Sequence, residues 1–216
     1  MAGKNVKNRR GTFLMGAGLL LVAAALFLTV YNLWDERRAT ETAAQTMEEM
    51  APLVAEAVMP EESGEEVIPD YLLDPGMDRP TVEIGGRDYI GTLEIPALEL
   101  SLPVISRWSY SNLKIAPCRY AGDTYEDHLI IAGHNYQSHF GRLKELLPGD
   151  LVQFTDVDGN VFSCSVVETE ILEKTDVEEL ESGDWDLTLF TCTVGGRTRA
   201  TIRCILVNCI PNTSLE

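Results

Sequence analysis

Between Thr12 and Trp34 the chain reads TFLMGAGLLLVAAALFLTVYNLW, a run without a single charged residue. As a helix, at about 1.5 Å per residue, it extends roughly 34 Å, enough to cross the hydrocarbon core of a bilayer. No other feature restricts the architecture as much, because a chain that places this run in lipid must fold and do its chemistry with the residues beyond Trp34. Lys4, Lys7, Arg9 and Arg10 precede it. Cations favour the cytoplasmic side, so we expect residues 1–11 inside, residues 12–34 as a single-pass signal anchor in membrane lipid, and everything after Trp34 outside the cell. Arg37 and Arg38 weaken that asymmetry. A cleaved signal peptide is the rival reading, but the run is longer than the roughly 7 to 15 residues of an apolar h-region and no small-x-small cleavage site follows it.

From residue 35 to residue 80 the composition shifts to Ala, Glu, Met and Pro, with acidic clusters such as PEESGEE, Pro60 to Glu66. The segment reads as an acidic spacer, either a stalk that holds a domain off the membrane or a disordered linker. Its first half, ATETAAQTMEEMAPLVAEAV, is rich in helix formers. The part after Pro60 is too polar and too interrupted to build a core. The chain carries 34 acidic against 17 basic residues, a net charge of −17, much of it here. That balance argues against nucleic acid or anionic lipid as a partner.

Residues 81–216 have the length of one ordinary domain. Strand-like runs follow one another: YIGTLEI, SLPVI, HLIIA, LVQFT, VFSCSVVE, LTLFT and RATIRCILV, with DVDGN and VGG among the turns between them. Only short helices fit, near Ser109 to Ile115 and in FGRLKELL, Phe140 to Leu147. Many short strands with few helices make the domain mainly β, a barrel or a sandwich.

Five cysteines, Cys118, Cys164, Cys192, Cys204 and Cys209, are an odd number, so at least one has no partner within the chain. Outside the membrane most would be read as disulfides, and an unpaired one is a candidate reactive thiol. There is no CxxC, and His134 with His139 makes an H-x4-H without further ligands, so neither a metal nor another cofactor is expected. A cysteine nucleophile needs a partner that handles its proton and a group that meets the charge on the attacked carbonyl. His134, in IIAGHNYQSHFGRL, follows an apolar strand directly, where catalytic side chains tend to be displayed; the plainer reading is a core histidine. His128, in YEDHL, reads as a solvated surface residue. His139 either lines the loop of His134 or serves packing. Cys118, in KIAPCRY, is a second thiol near the groove, a buried small hydrophobe or half of a disulfide.

AGHN, then FGRL, LPGD and a strand, then TLFTC and an arginine shortly after, resemble the sortase family, the membrane-anchored cysteine transpeptidases of Gram-positive surfaces. The entry YIGTLEIPALELSLPVI, Tyr89 to Ile105, is similar to the first two sortase strands, and the likeness covers residues 88 to 207 in the family's order. The resemblance implies an eight-stranded sortase β-barrel with short helices, a type II anchor, and His134, Cys192 and Arg199 as the catalytic set, with Thr191 and Asn135 as substrate-binding neighbours. It implies that secreted proteins bearing a C-terminal sorting signal, LPxTG-like by default, are cleaved at a Thr-Gly-like bond. They would then pass to an amine of the lipid-linked cell-wall precursor or of a pilin lysine. The GHNY and HFG wording is similar to class B and related clostridial sortases. The segment from Glu173 to Asp186 is shorter than the helix-bearing insertion typical of class B, which leaves class D open. A membrane-tethered cysteine protease that hydrolyses the same motif, and a non-catalytic binding domain on a sortase scaffold, are the rivals.

Which arginine serves Cys192 is set by the turn. Gly195-Gly196 suits a two-residue type I′ loop. Counting outward pairs Val194 with Arg197, Thr193 with Thr198 and Cys192 with Arg199, and directly opposed residues share a face with Cβ atoms roughly 4.5 to 5.5 Å apart. Arg197, nearer the turn, and Arg203, about 13 Å along the strand at about 3.3 Å per residue, read as solvated strand charges.

Overall fold

The computed structural model describes residues 9–57, 68–126, 128–193 and 195–210, and the chain divides into two compact units, one up to Arg37 and one from Arg38 onward. The first unit belongs to helix α1, Arg9–Ala57, whose uncharged run is long and apolar enough to cross a membrane and has none of its surface buried against protein.

In the second unit, α1 buries one narrow stripe: Ala39, Ala43, Thr46 and Met50. The spacings of four, three and four residues keep them on one side of a helix. Ala43 joins the main core, and Met50 packs with Ile84, Tyr89, Ile105, Ala116 and Cys118. The first half of the expected spacer is therefore helical, as its composition suggests, and part of the folded domain. Its contact surface is too small-sided and too mixed with polar residues to read as a core-facing helix.

The end of that spacer is fastened as well. Tyr71, in the short helix α2 (Asp70–Leu73), stacks on Tyr125 with ring centres 4.5 Å apart. Arg79 is buried, donates from Nε to Asp123 Oδ2 at 2.7 Å, and lies 4.0 Å over the Tyr125 ring. Asp123 also receives Arg119, so a charge that burial would otherwise penalise is paired from two sides.

Nine strands come next: β1 (Val82–Ile84), β2 (Arg87–Ile95), β3 (Leu100–Ile105), β4 (Cys118–Ala121), β5 (Leu129–Gly133), β6 (Leu151–Asp156), β7 (Val161–Glu173), β8 (Leu187–Cys192) and β9 (Thr198–Ile210). Their order is β1-β2-β3-β4-β5-β8-β9-β7-β6, and β6 pairs back onto β2. That last pairing closes β2 to β9 into an eight-stranded barrel, with β1 as a flap on β2. The β3–β4 and β5–β8 ladders are parallel, and the other ladders are antiparallel. Every expected strand is present. The two that the sequence pattern does not announce, β1 and β4, are only three and four residues long and half polar. The helix expected near Ser109 to Ile115 is α3, Tyr110–Leu113, and the one expected over Phe140 to Leu147 is a single 3₁₀ turn, Leu143–Glu145; Leu147 precedes Pro148, which disfavours the α conformation there.

Alternation decides what each strand buries. On β5, Leu129 and Ile131 enter the barrel core, while Ile130 and Ala132 join an outer cluster with Leu172, Leu180 and Phe190. Leu180 belongs to α4 (Val177–Glu181), a helix within the β7–β8 connection. That connection therefore lies against the outer wall formed by β5 and β8.

A cysteine between a histidine and an arginine

Strands β5 and β8 run parallel with Gly133 opposite Thr191. His134 follows Gly133 directly, just past the end of β5, and Cys192 follows Thr191 as the last residue of β8. On the other side, β9 runs antiparallel with Arg199 opposite Cys192. Along three neighbouring strands, His134 thus follows the end of β5, Cys192 ends β8 and Arg199 lies on β9 opposite Cys192, so the thiol's strand is the middle one.

The thiol lies on the barrel's outer face. Leu187 and Leu189 point into the core and Phe190 into the outer cluster, so Cys192, two residues on, faces outward and is exposed. Arg199 is half-buried with its guanidinium carbon 5.2 Å from the Phe190 ring centre, and its Nη1 is buried without a hydrogen-bond partner. A planar cation held over a ring, with a donor unspent, is suited to meet a carbonyl oxygen or an oxyanion. Phe190 continues edge-on to Tyr120 at 5.2 Å and Tyr120 to Trp108 at 6.0 Å, which extends an aromatic floor away from the thiol.

His134 is presented by a loop that folds tightly on itself. Phe140 N–H donates to His134 O at 3.1 Å, and Gly141 N–H donates to Tyr136 O at 2.8 Å. A Cβ on Gly133 would come within 2.3 Å of the Phe140 ring, and one on Gly141 within 2.7 Å of the Asn135 and Tyr136 carbonyl oxygens. Both glycines of AGHNYQSHFG are therefore steric requirements of this loop. The Tyr136 ring stacks on His134 with centres 3.9 Å apart, and His139 meets Tyr136 edge-on at 5.4 Å. His139 is fully buried with neither ring nitrogen hydrogen-bonded, and burial, aided by the nearby His134, lowers its pKa to about 4. It is a neutral packing residue that backs the loop.

All five cysteines lie in the described residues and all are free, so the expected disulfides are absent. Burial separates them. Cys118 is fully buried, its thiol near the Ala116 carbonyl at 3.4 Å, and burial pushes it up to about 12. Of the readings open for Cys118, the small buried hydrophobe is the one its position fits. Burial likewise raises Cys164 to about 12 and raises Cys204 and Cys209. A thiol that must become thiolate to react is kept protonated at these four positions.

Other expectations fare differently. The Cys192–Arg199 pairing and the Thr193–Thr198 bond, 2.9 Å from N–H to O, match the register counted from the turn. The Val194–Arg197 pair falls on Val194, outside the described residues. The turn's own bond runs from Gly196 N–H to Thr193 O at 2.8 Å, one residue earlier than a loop centred on Gly195-Gly196 requires. The Cys192–Arg199 register is the one counted from the turn. Arg197 is exposed, as expected. Arg203 is not a solvated charge: it is 2% exposed. His128 is half-buried, with burial lowering its pKa and Arg203 adding to the shift, and is not the surface residue that its polar turn suggests. Asn135 is half-buried beside His134. Thr191 is buried and faces inward with Leu189, so its side chain lies on the wall opposite the thiol's face.

Fold and site together define a closed β-barrel with an exposed cysteine on its outer wall between a histidine and an arginine. The sortase domain model matches residues 93–208, more than half of the chain, and the chain belongs to the sortase family of cysteine transpeptidases. No curated protein matches it in sequence. Among solved structures it is similar to a Clostridium perfringens sortase D5 transpeptidase, at 18% identity over 78% of this chain and 99% of that one, with a TM-score of 0.57. It is also similar to sortase C-3 of Streptococcus pneumoniae, at 20% identity over 82% and 93%, with a TM-score of 0.54. Sortase A of Listeria monocytogenes matches at 21% over 57% and 90%, with a TM-score of 0.51. Likenesses of this degree across three named classes establish the fold and leave the subclass open.

Proposed function

We propose that this protein is a membrane-anchored transpeptidase that cuts secreted proteins at a C-terminal sorting motif, LPxTG-like by default, and joins them to an amine of the cell-wall precursor or of a pilin. The observation that supports the reading is Cys192, the exposed thiol, paired with Arg199 across β8 and β9, with His134 just past the end of the neighbouring β5.

The Cys192 thiolate attacks the scissile carbonyl, and Arg199 donates hydrogen bonds to the oxygen on which charge collects. His134, as imidazolium, gives its proton to the departing amine; the C–N bond breaks and a thioester to Cys192 remains. An acceptor amine then adds to the thioester, passes a proton to His134, and forms a new C–N bond as the C–S bond breaks and the thiolate returns. Anchoring through residues 12–34 with the barrel outside puts the enzyme where sorting signals and cell-wall amines meet.

The test is product analysis. The full chain in detergent micelles, given a panel of sorting peptides and amine acceptors, is expected to accumulate an acyl adduct on Cys192 and to release amide product; Cys192→Ala forms neither, while Cys118→Ala keeps most activity. Hydrolysis product alone, with acceptor in excess, would mark a protease. The absence of any adduct across the panel would mark a binding domain.

A further inference from the structure

Arg203 stands on the same outer face of β9 as Arg199, four residues away, and every nitrogen of its guanidinium is engaged. Nε donates to Glu170 Oε1 at 2.6 Å and Nη1 to Thr188 Oγ1 at 3.1 Å, both on barrel strands. Nη1 also donates to Leu180 O at 2.8 Å and Nη2 to Glu179 O at 2.6 Å, two carbonyls at the C-terminal end of α4. The Trp185 ring lies 5.9 Å from the guanidinium carbon. Glu179, Leu180 and Trp185 all belong to the β7–β8 connection. One side chain therefore joins that connection to two strands of the wall, using carbonyls that a helix end leaves without intrahelical partners. A buried cation is tolerated only when so paired, and a lysine cannot reproduce the geometry, because it lacks the planar fork of five donors.

What the clamp holds is next to the thiol. Leu180 is fully buried against Ile130, Ala132, Leu172 and Phe190. Phe190 stands two residues before Cys192 on the same face of β8, and Ala132 lies on β5 two residues before His134. The connection thus walls the floor that runs from the thiol towards Arg203. At about 3.3 Å per residue, Arg203 lies roughly 13 Å from the level of Cys192, while an extended five-residue motif spans roughly 17 Å. A wall fixed in advance needs less ordering when peptide binds.

We propose that Arg203 is a positioning residue: it holds the β7–β8 connection in its substrate-ready place and thereby sets which sorting motif the enzyme accepts. The proposal rests on the transpeptidase reading for its substrate and on the observed clamp for its mechanism. Arg203→Lys, Leu180→Ala and Glu170→Gln test it in the full chain in micelles, each with three readouts: amide hydrogen exchange over residues 174–186, kcat and KM across a motif panel, and iodoacetamide alkylation of Cys192. Arg203→Lys is expected to speed exchange in the connection but not in β5 or β8. KM for the preferred motif should rise about tenfold with kcat within about twofold, preferences across the panel should narrow, and the alkylation rate should stay the same. Leu180→Ala should share the pattern and Glu170→Gln should show it more weakly; these two decide the matter if Arg203→Lys does not fold. Unchanged exchange would remove the clamp. Faster exchange with KM and preferences intact would remove the link to selectivity, and a collapse of kcat alone would assign Arg203 to the chemistry instead. If the unaltered chain turns over no peptide, the transpeptidase reading and the selectivity role fail together, and the exchange data still report on the clamp.

Discussion

Arg199 and Arg203 share a strand and a face, yet their surroundings give them opposite tasks. Arg203 has spent its donors on carbonyls, a hydroxyl and a carboxylate, whereas Arg199 keeps Nη1 without a partner beside the exposed thiol. A donor left unsatisfied in the resting protein is costly, and a substrate oxygen that arrives there relieves the cost during reaction. Arg199→Ala is therefore expected to lower kcat/KM by about 100- to 1,000-fold with little loss of thermal stability. Arg199→Lys should recover little of it, and Arg197→Ala, at an exposed position nearer the turn, should stay within a few-fold of the parent. Steady-state kinetics on the three variants checks this; a crippled Arg197→Ala with an active Arg199→Ala would transfer the oxyanion role. In sequence the three arginines of TVGGRTRATIR look alike. Only the hairpin count distinguishes Arg199, and nothing local distinguishes Arg203, because its partners come from α4, β7 and β8.

At the scale of one element, the loop from Gly133 to Gly141 shows how much work goes into presenting one imidazole. Two close approaches at glycine, a Phe140 side chain plugged into the core, and Tyr136 stacked on His134 and edge-on to His139 fix where His134 stands. The buried His139 makes this loop sensitive to acid. Its pKa falls from the ordinary 6.5 to about 4 on folding, so between those values the folded state binds fewer protons than the unfolded one. Stability then rises with pH through that window and is lost as pH falls through it, by up to about 3 kcal/mol below pH 4. His139→Phe, which keeps an apolar ring in the cavity, is expected to flatten that part of the profile while the carboxylates titrate as before. Denaturant unfolding at a series of pH values from 7 to 4, on parent and variant, reads the difference directly. An identical pH slope in both would mean that His139 titrates normally in the folded loop.

For the whole molecule, the consequential observation is that the catalytic unit begins earlier than its strands do. The stripe of Ala39, Ala43, Thr46 and Met50 and the anchors at Tyr71 and Arg79 make most of the expected spacer part of the domain. A truncation at Thr81 would remove Met50, a fully buried side chain, and Arg79, half of a buried ion pair. The orientation across the membrane is tested separately. Protease added outside intact cells is expected to degrade the barrel and leave a short N-terminal fragment with the membrane, as a denaturing gel of washed membranes would show. A full-length band that survives until the cells are lysed would reverse the orientation.

Some of this protein is written locally. An uncharged run long enough for a bilayer, strands separated by turn residues, and a glycine pair that fixes the pairing of Cys192 with Arg199 all depend on period, length and backbone preference, which a linear chain carries within a few residues. TLFTC, GHN and the downstream arginine are likewise legible because the chemistry restricts the residue types. The rest depends on atoms distant in sequence. Thr191 is beside Cys192 in the chain but across the wall from it, since alternate strand positions face opposite ways. His128 looks solvated in a polar turn until Arg203 and the β7–β8 connection arrive next to it. Arg203 reads as one more surface cation until Glu170, Leu180 and Thr188 converge on it from 33, 23 and 15 residues away. Burial and the satisfaction of buried donors are properties of the closed barrel, and only its closure decided which thiol stayed exposed, which histidine stayed neutral and which arginine was left with a donor to offer.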